Sequence, residues 1–146
     1  MKTILPIEIV TLGDDGSYHL FVSGVIDGQQ CELLIDTGAS HTIFDAAMIP
    51  KISTDENQNC EIQSTGISSG DLNCNFGIIK EFKLGELKRE NWTVVIIDLS
   101  HVNSMYKRFT DKRVACLIGS DFLLKHEAII DYKKRELVLR NIRKRK

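Results

Sequence analysis

With 146 residues, 42% hydrophobic and 27% charged, the chain is long enough for one domain with an ordinary core and short for two. Ten glycines and two prolines exclude a fibrous or disordered composition, and no apolar run approaches the roughly 18 residues of a membrane span. The net charge of −1 conceals a split: Arg140, Arg143, Lys144, Arg145 and Lys146 crowd the last seven positions, while the rest carries 14 basic and 20 acidic side chains. A basic tail on an acidic body can touch nucleic acid or an acidic membrane surface, and is otherwise a solvated terminus.

Pro6 and Glu8 interrupt the first apolar residues before a signal peptide could form. Cys31, Cys60, Cys74 and Cys116 have no short Cys-x-x-Cys spacing, and the four histidines are equally scattered. No metal or other cofactor is expected, and free, mostly buried thiols fit a reducing cytoplasm.

Residues 18–26 (YHLFVSGVI) are rich in β-branched and aromatic side chains and predict a strand. Asp27-Gly28 supplies a two-residue turn, and residues 29–36 (QQCELLID) return antiparallel. Asp14-Asp15-Gly16 marks an earlier turn, so this part reads as a β-meander. Residues 53–59 are polar and predict a loop; residues 60–66 read as a strand entering a turn, residues 67–71 as an exposed tip, and residues 73–79 as the returning arm. Residues 82–99 hold a glycine turn and then an apolar strand from Trp92. Residues 100–112 are polar with a weak helical tendency and receive no assignment. Residues 114–119 (VACLIG) predict a buried strand, and Ser120 or Asp121 can cap a helix over residues 122–128. A last hairpin joins AIIDY to ELVLRNI through Lys133-Lys134-Arg135. The chain therefore reads as mainly β, with one short helix near its end.

Within this pattern Asp36 stands out. The run Leu33-Leu34-Ile35 is of a buried kind, yet it ends on a carboxylate, which is expensive to desolvate. Asp-Thr-Gly alone is a common strand-to-turn transition. Its surroundings are more specific: about eighty residues on, CLIGSDFLLKHEAIIDY repeats the apolar strand that ends in glycine.

Residues 33–45 (LLIDTGASHTIFD) together with residues 116–139 (CLIGSDFLLKHEAIIDYKKRELVL) resemble the retropepsin-like, single-lobe aspartic proteases. The first block is similar to the family's active-site loop, the second to its glycine-ended strand and following helix. The resemblance implies a closed β-barrel of the acid-protease type over residues 1–139, with residues 140–146 as a basic tail. It implies a homodimer in which each subunit brings one Asp36, since a chain holding both lobes needs a second Asp-Thr/Ser-Gly and about twice the length. Two carboxyls about 3 Å apart share one proton. One Asp36 then activates a water while its protonated twin polarises the peptide carbonyl.

The resemblance also assigns neighbouring residues. Thr37 is expected to brace the two loops across the axis, or otherwise to cap its own turn. Gly38 is expected to bring its N–H to the carboxylate where a Cβ would hinder it. Ala39, where the pepsin-like branch commonly has serine, implies activity at mildly acidic to near-neutral pH. Ser40 replaces the acid with which retroviral members hold the substrate backbone. Ala39, Ser40 and Ile118 are expected beside the substrate, and Gly66, Ile67, Ser68, Ser69 and Gly70 are the candidate flap over it. His41 is expected at the surface. Retroviral dimers interlace their chain ends, and ILPI with LVLRNI could do so here against the repulsion of the basic tails. The expected function is an aspartic endopeptidase acting on peptide or protein substrates in the cytoplasm, with no membrane partner and nucleic acid disfavoured. The alternative is a non-catalytic binding or scaffolding protein on the same fold.

Overall fold

The computed structural model describes residues 1–13, 16–50 and 75–142. Among these residues ten strands and two helices follow in order: β1 (Lys2–Pro6), β2 (Glu8–Thr11), β3 (Tyr18–Ile26), β4 (Gln29–Ile35), β5 (Ile43–Asp45), β6 (Asn75–Leu84), β7 (Leu87–Ile97), α1 (Ser100–Lys107), β8 (Val114–Ile118), α2 (Ser120–Lys125), β9 (Ile129–Asp131) and β10 (Glu136–Arg140). The loop, strand and tip expected over residues 53–71 lie outside the described residues.

The Asp27-Gly28 turn forms as expected. Both residues have positive φ, 48° and 82°, the geometry that matches the twist of the β3–β4 pair. The nine residues of β3 serve three neighbours. Tyr18 to Phe21 pair with β2, Phe21 to Ile26 with β4, and Val25 and Ile26 reach Lys83 and Phe82 of β6. That last contact closes a six-stranded barrel in the order β3-β4-β8-β5-β7-β6, with β2 outside it.

Strand β4 carries two cores at once. Leu33 and Ile35 face a cluster with Phe44, Phe82 and Ile118, while Leu34 faces a second with Phe21, Tyr106 and Leu117. Both faces are covered, so the strand reads as a continuous apolar run, as buried parallel neighbours do. Its parallel partner is β8, with Ile35 opposite Ile118. Cys31 and Cys116 are free and buried; burial pushes the Cys31 thiol up to about 11, with Glu32 adding to it, and raises Cys116 well above the ordinary thiol range. Neither is reactive in that state.

Two expectations need correction. Helix α2 begins two residues earlier than predicted and its N-cap is Gly119, not Ser120 or Asp121. It ends by Lys125 because Glu127 adopts a left-handed φ of 46°, and the Ala128 N–H bonds back to the Leu123 carbonyl. The unassigned stretch holds a true helix, α1. Its N-cap Leu99 makes no side-chain capping bond, so tertiary contacts hold it instead. Asn103 brackets the backbone of Val114, accepting from its N–H at 2.6 Å and donating to its carbonyl at 3.1 Å. The buried Asp45 carboxylate accepts from the N–H of Ala47 and of Leu99 and pairs with Arg113.

The chain ends come together in one sheet. Within one chain β1 pairs with β10 over five residues, Lys2 opposite Arg140 and Pro6 opposite Glu136, and β9 completes a three-stranded sheet. Leu5, Leu137 and Leu139 fill its inner face. Residues 2–6 and 136–140 satisfy each other's backbone, and β9 has β10 as its one neighbouring strand among the described residues. Among the described residues no helix is long and apolar enough to cross a membrane.

His126 fastens α2 to β10. The residue is 4% exposed, Nδ1 lies 2.9 Å from the Arg140 carbonyl, and Nε2 has no partner among the described residues. Burial holds its pKa below 6.5, with Lys125 and Arg89 acting the same way and the Arg140 carbonyl against them. A histidine depressed in the fold contributes stability that is present above its unfolded value and is lost as pH falls through the folded one. Thermal midpoints are therefore expected to drop on acidification below about pH 6.5, and His126→Phe is expected to flatten that part of the profile. An unchanged slope in the variant refutes the assignment.

Candidate active site

Asp36 is the first residue past β4, and its backbone continues the parallel ladder by one bond, donating to the Ile118 carbonyl at 2.9 Å. The chain then turns. The Gly38 N–H donates to Asp36 Oδ1 at 3.2 Å, and the Ala39 N–H to the Asp36 carbonyl at 3.1 Å. This answers why an apolar strand ends on a carboxylate: β8 stops at Ile118, so the next residue leaves the core with its side chain at the rim, half-buried.

The loop is locked to the turn before α2. The Ser120 N–H donates to the Ala39 carbonyl at 2.8 Å, and the Gly119 N–H to Thr42 Oγ1 at 3.0 Å. Thr42 in turn donates to Asp121 Oδ1 at 2.7 Å, and that oxygen also takes the Phe122 N–H. Asp121 is thus committed to the scaffold. A Cβ at Gly119 would sit 2.6 Å from the His41 carbonyl carbon and oxygen, so the two loops meet backbone to backbone. His41 itself is exposed.

A cavity of about 610 Å³ opens beside Asp36. Thr37, Leu34 and Leu117 line it from the barrel, Tyr18 and His19 from β3, Val102, Met105 and Tyr106 from α1, and Ile130 and Tyr132 from the β9 hairpin. Tyr106 is buried, and its hydroxyl lies 2.7 Å from His19 Nδ1. Burial pushes this phenol up to about 12, and the negative charge of Asp36 adds to the shift. Asp36 is the one carboxylate on this cavity among the described residues.

The expected site residues fall into three groups. Asp36 and Thr37 lie together on the cavity. The Thr37 hydroxyl is exposed and makes no hydrogen bond among the described residues, so it does not cap its own turn. Ala39 and Ser40 belong to the same loop but not to the cavity wall, and Ile118 is 1% exposed beneath it, with the neighbouring Leu117 lining the cavity in its place. The flap candidates Gly66, Ile67, Ser68, Ser69 and Gly70 lie outside the described residues. Gly38 needs a correction of reason. An added Cβ there meets only Asp36 Oδ1, at an ordinary 3.5 Å, so space alone does not require glycine. Sequence reasoning missed the α1 wall, although Val102 and Tyr106 stand four residues apart on one helical face, a readable signal.

Comparison with known proteins agrees with this geometry. No curated protein matches the chain by sequence. Among solved structures, the retroviral protease-like domain of Ddi1 from Leishmania major superposes with a TM-score of 0.51 at 19% identity, covering 85% of this chain and 90% of that one. A retropepsin-like aspartic protease from Rickettsia conorii covers 95% of this chain and 92% of its own at 16% identity, with a TM-score of 0.49. Residues 22–122 match the aspartyl protease family, a span that runs from β3 through the Asp36 loop to the first turn of α2, and the chain therefore belongs to that family, with a retropepsin-like fold.

Proposed function

We propose that the protein is an aspartic endopeptidase whose active site forms between two copies of the chain. One observation carries the reading: a single carboxylate, Asp36, stands at the rim of a roomy cavity on a rigidly locked loop, with no second acid beside it among the described residues. Hydrolysis through an activated water needs a base and an acid together, and a two-fold axis beside Asp36 supplies both from one residue type. The paired carboxyls share a proton because like charges so close do not both ionise. The ionised Asp36 draws a proton from the water as it attacks the peptide carbonyl. The protonated one donates to the carbonyl oxygen, and a proton then passes to the leaving amine.

Two further features support the arrangement. Thr37 presents a free hydroxyl beside Asp36, as a residue bonding across the axis requires. The edge that β9 leaves unpaired among the described residues lies next to the cavity through Ile130, so pairing of two such edges would draw the two Asp36 loops together. The test is concentration. Cleavage of a peptide library per chain is expected to rise with protein concentration in step with the dimer fraction measured by analytical ultracentrifugation, and a statine-type inhibitor is expected to bind the dimer alone. Constant cleavage per chain by a species that sediments as a monomer overturns the shared site.

A further inference from the structure

One wall of the Asp36 cavity is α1, and α1 is lightly attached. Among the described residues its N-terminus has no side-chain capping bond, and of its eight residues Tyr106 alone is buried. Val102 and Asn103 are half-buried and the rest are exposed. A helix this short is not stable in water by itself. Its place beside Asp36 is therefore decided by the few contacts it makes.

Two side chains make the polar ones. Asn103 grips the backbone of Val114 at the start of β8. Tyr106, three residues on, reaches β3 instead. Its hydroxyl lies 2.7 Å from His19 Nδ1, and its ring meets those of Phe21 and His19 edge to face, with centroids 5.4 and 5.3 Å away. His19 is held in turn, with Nε2 3.2 Å from Ser17 Oγ. Both imidazole nitrogens thus have a partner, and the ring cannot turn over without losing both.

The Tyr106–His19 bond is well suited to fix a wall. Tyr106 is 1% exposed, so parting the pair strands a hydroxyl that water does not reach, which costs more than the bond alone contributes. A phenol can also serve either form of the imidazole. It donates to Nδ1 of the neutral ring and accepts from the Nδ1–H of the charged one. Burial, with Asp36 adding to it, pushes the phenol up to about 12, so it stays a neutral hydroxyl throughout the neutral range. Both partners line the same cavity as Val102, Met105 and Asp36.

We propose that Tyr106 is a positioning residue for the peptide substrate: through its bond to His19 it pins α1, so that Val102 and Met105 form the wall against which a substrate side chain beside Asp36 is seated. The inference rests on the endopeptidase reading. Tyr106 touches no reacting atom in this scheme, and its loss is felt in substrate binding and not in the chemical step.

The test is steady-state cleavage of a library-selected peptide, at protein concentrations where cleavage per chain has levelled off. Tyr106→Phe keeps the ring and its contact with Phe21 and removes the hydroxyl alone. Its KM is expected to rise about tenfold, the scale of one lost hydrogen bond, with kcat within about twofold of the parent. His19→Ala is expected to raise KM by a like amount, and the double variant no further, since the two side chains act as one link. His19→Asn, which can set an amide oxygen near the place of Nδ1, is expected to recover most of the parent KM. In a parent that cleaves, a Tyr106→Phe variant with unchanged KM overturns the proposal. So does a fall in kcat at constant KM, which puts the phenol in the chemical step. Single effects that multiply in the double variant make the two residues independent and overturn it equally. Loss of the fold in both single variants, seen by circular dichroism, makes the pair a core contact only and also overturns it. A parent that cleaves no peptide at any concentration defeats the endopeptidase reading itself, and the proposal falls with it.

Discussion

Asp36→Asn is expected to lower peptide cleavage by at least roughly 10³-fold, the scale of a lost general base. The amide keeps the size of the carboxylate and its oxygen can still accept the Gly38 N–H, which lies 3.2 Å from Oδ1 in the parent. What it loses is the capacity to take a proton from water. Because the side chain is half-buried at the rim and not in the core, the thermal midpoint and the dimer are expected to stay near those of the parent. Two readouts separate this loss from a structural one. The Tyr106 phenol, held at about 12 by burial first and by Asp36 second, is expected to titrate lower in the variant while staying above the ordinary tyrosine value, as ultraviolet difference spectra can show. An equal mixture of parent and variant chains, once exchanged, is expected to retain about a quarter of the activity of the same total of parent chains, where independent chains would retain half. A variant that cleaves like the parent removes the mechanism.

Gly119→Ala is expected to destabilise the fold by roughly 3 kcal/mol, the upper range for overpacking a rigid site. The thermal midpoint should fall by about 10 °C for a chain of this size. The cause is space and not dihedral preference. Gly119 sits at φ −92° and ψ 177°, an extended conformation open to any residue. Its added Cβ would nevertheless meet the His41 backbone at 2.6 Å and the Ala39 carbonyl at 3.0 Å. Relief requires parting the loops that the Gly119–Thr42 and Ser120–Ala39 bonds hold together, and that movement displaces Asp36. Gly38→Ala is the control. Its Cβ finds ordinary contact at 3.5 Å, so stability is expected to change little. A midpoint for Gly119→Ala equal to that of Gly38→Ala contradicts the backbone contact described for this pair of loops.

Much of this architecture was legible before any coordinates. The β3–β4 hairpin reads from alternation and from Asp27-Gly28, because local chemistry decides it: both turn residues need positive φ and the sequence supplies residues that accept it. The two apolar runs at Asp36 and Gly119 read equally well, since parallel strands buried on both faces leave an unbroken signature. Other parts depend on distant partners and leave no local trace. The three residues of β5 exist because β7 and β8 flank them. Helix α1 lacks a capping side chain and is positioned by Asn103 and Asp45. The premature end of α2 turns on the left-handed Glu127, a residue type that gives no warning of it. The cavity is the hardest case, because His19, Tyr106 and Tyr132 come from three separate stretches that only the closed barrel brings together.

The pairing of β1 with β10 has a consequence for how the molecule comes into being. Thr3 and Asn141, joined by a 2.8 Å hydrogen bond, are 138 positions apart, so during synthesis β1 must wait for a partner strand made long after it. The barrel strands can join before β10 exists, but the small sheet can zip up only once β10 has been made, and closure between segments so distant is slow. During that interval Leu5 lacks the strand that covers it in the fold, and an uncovered apolar strand of this kind is open to non-native pairing.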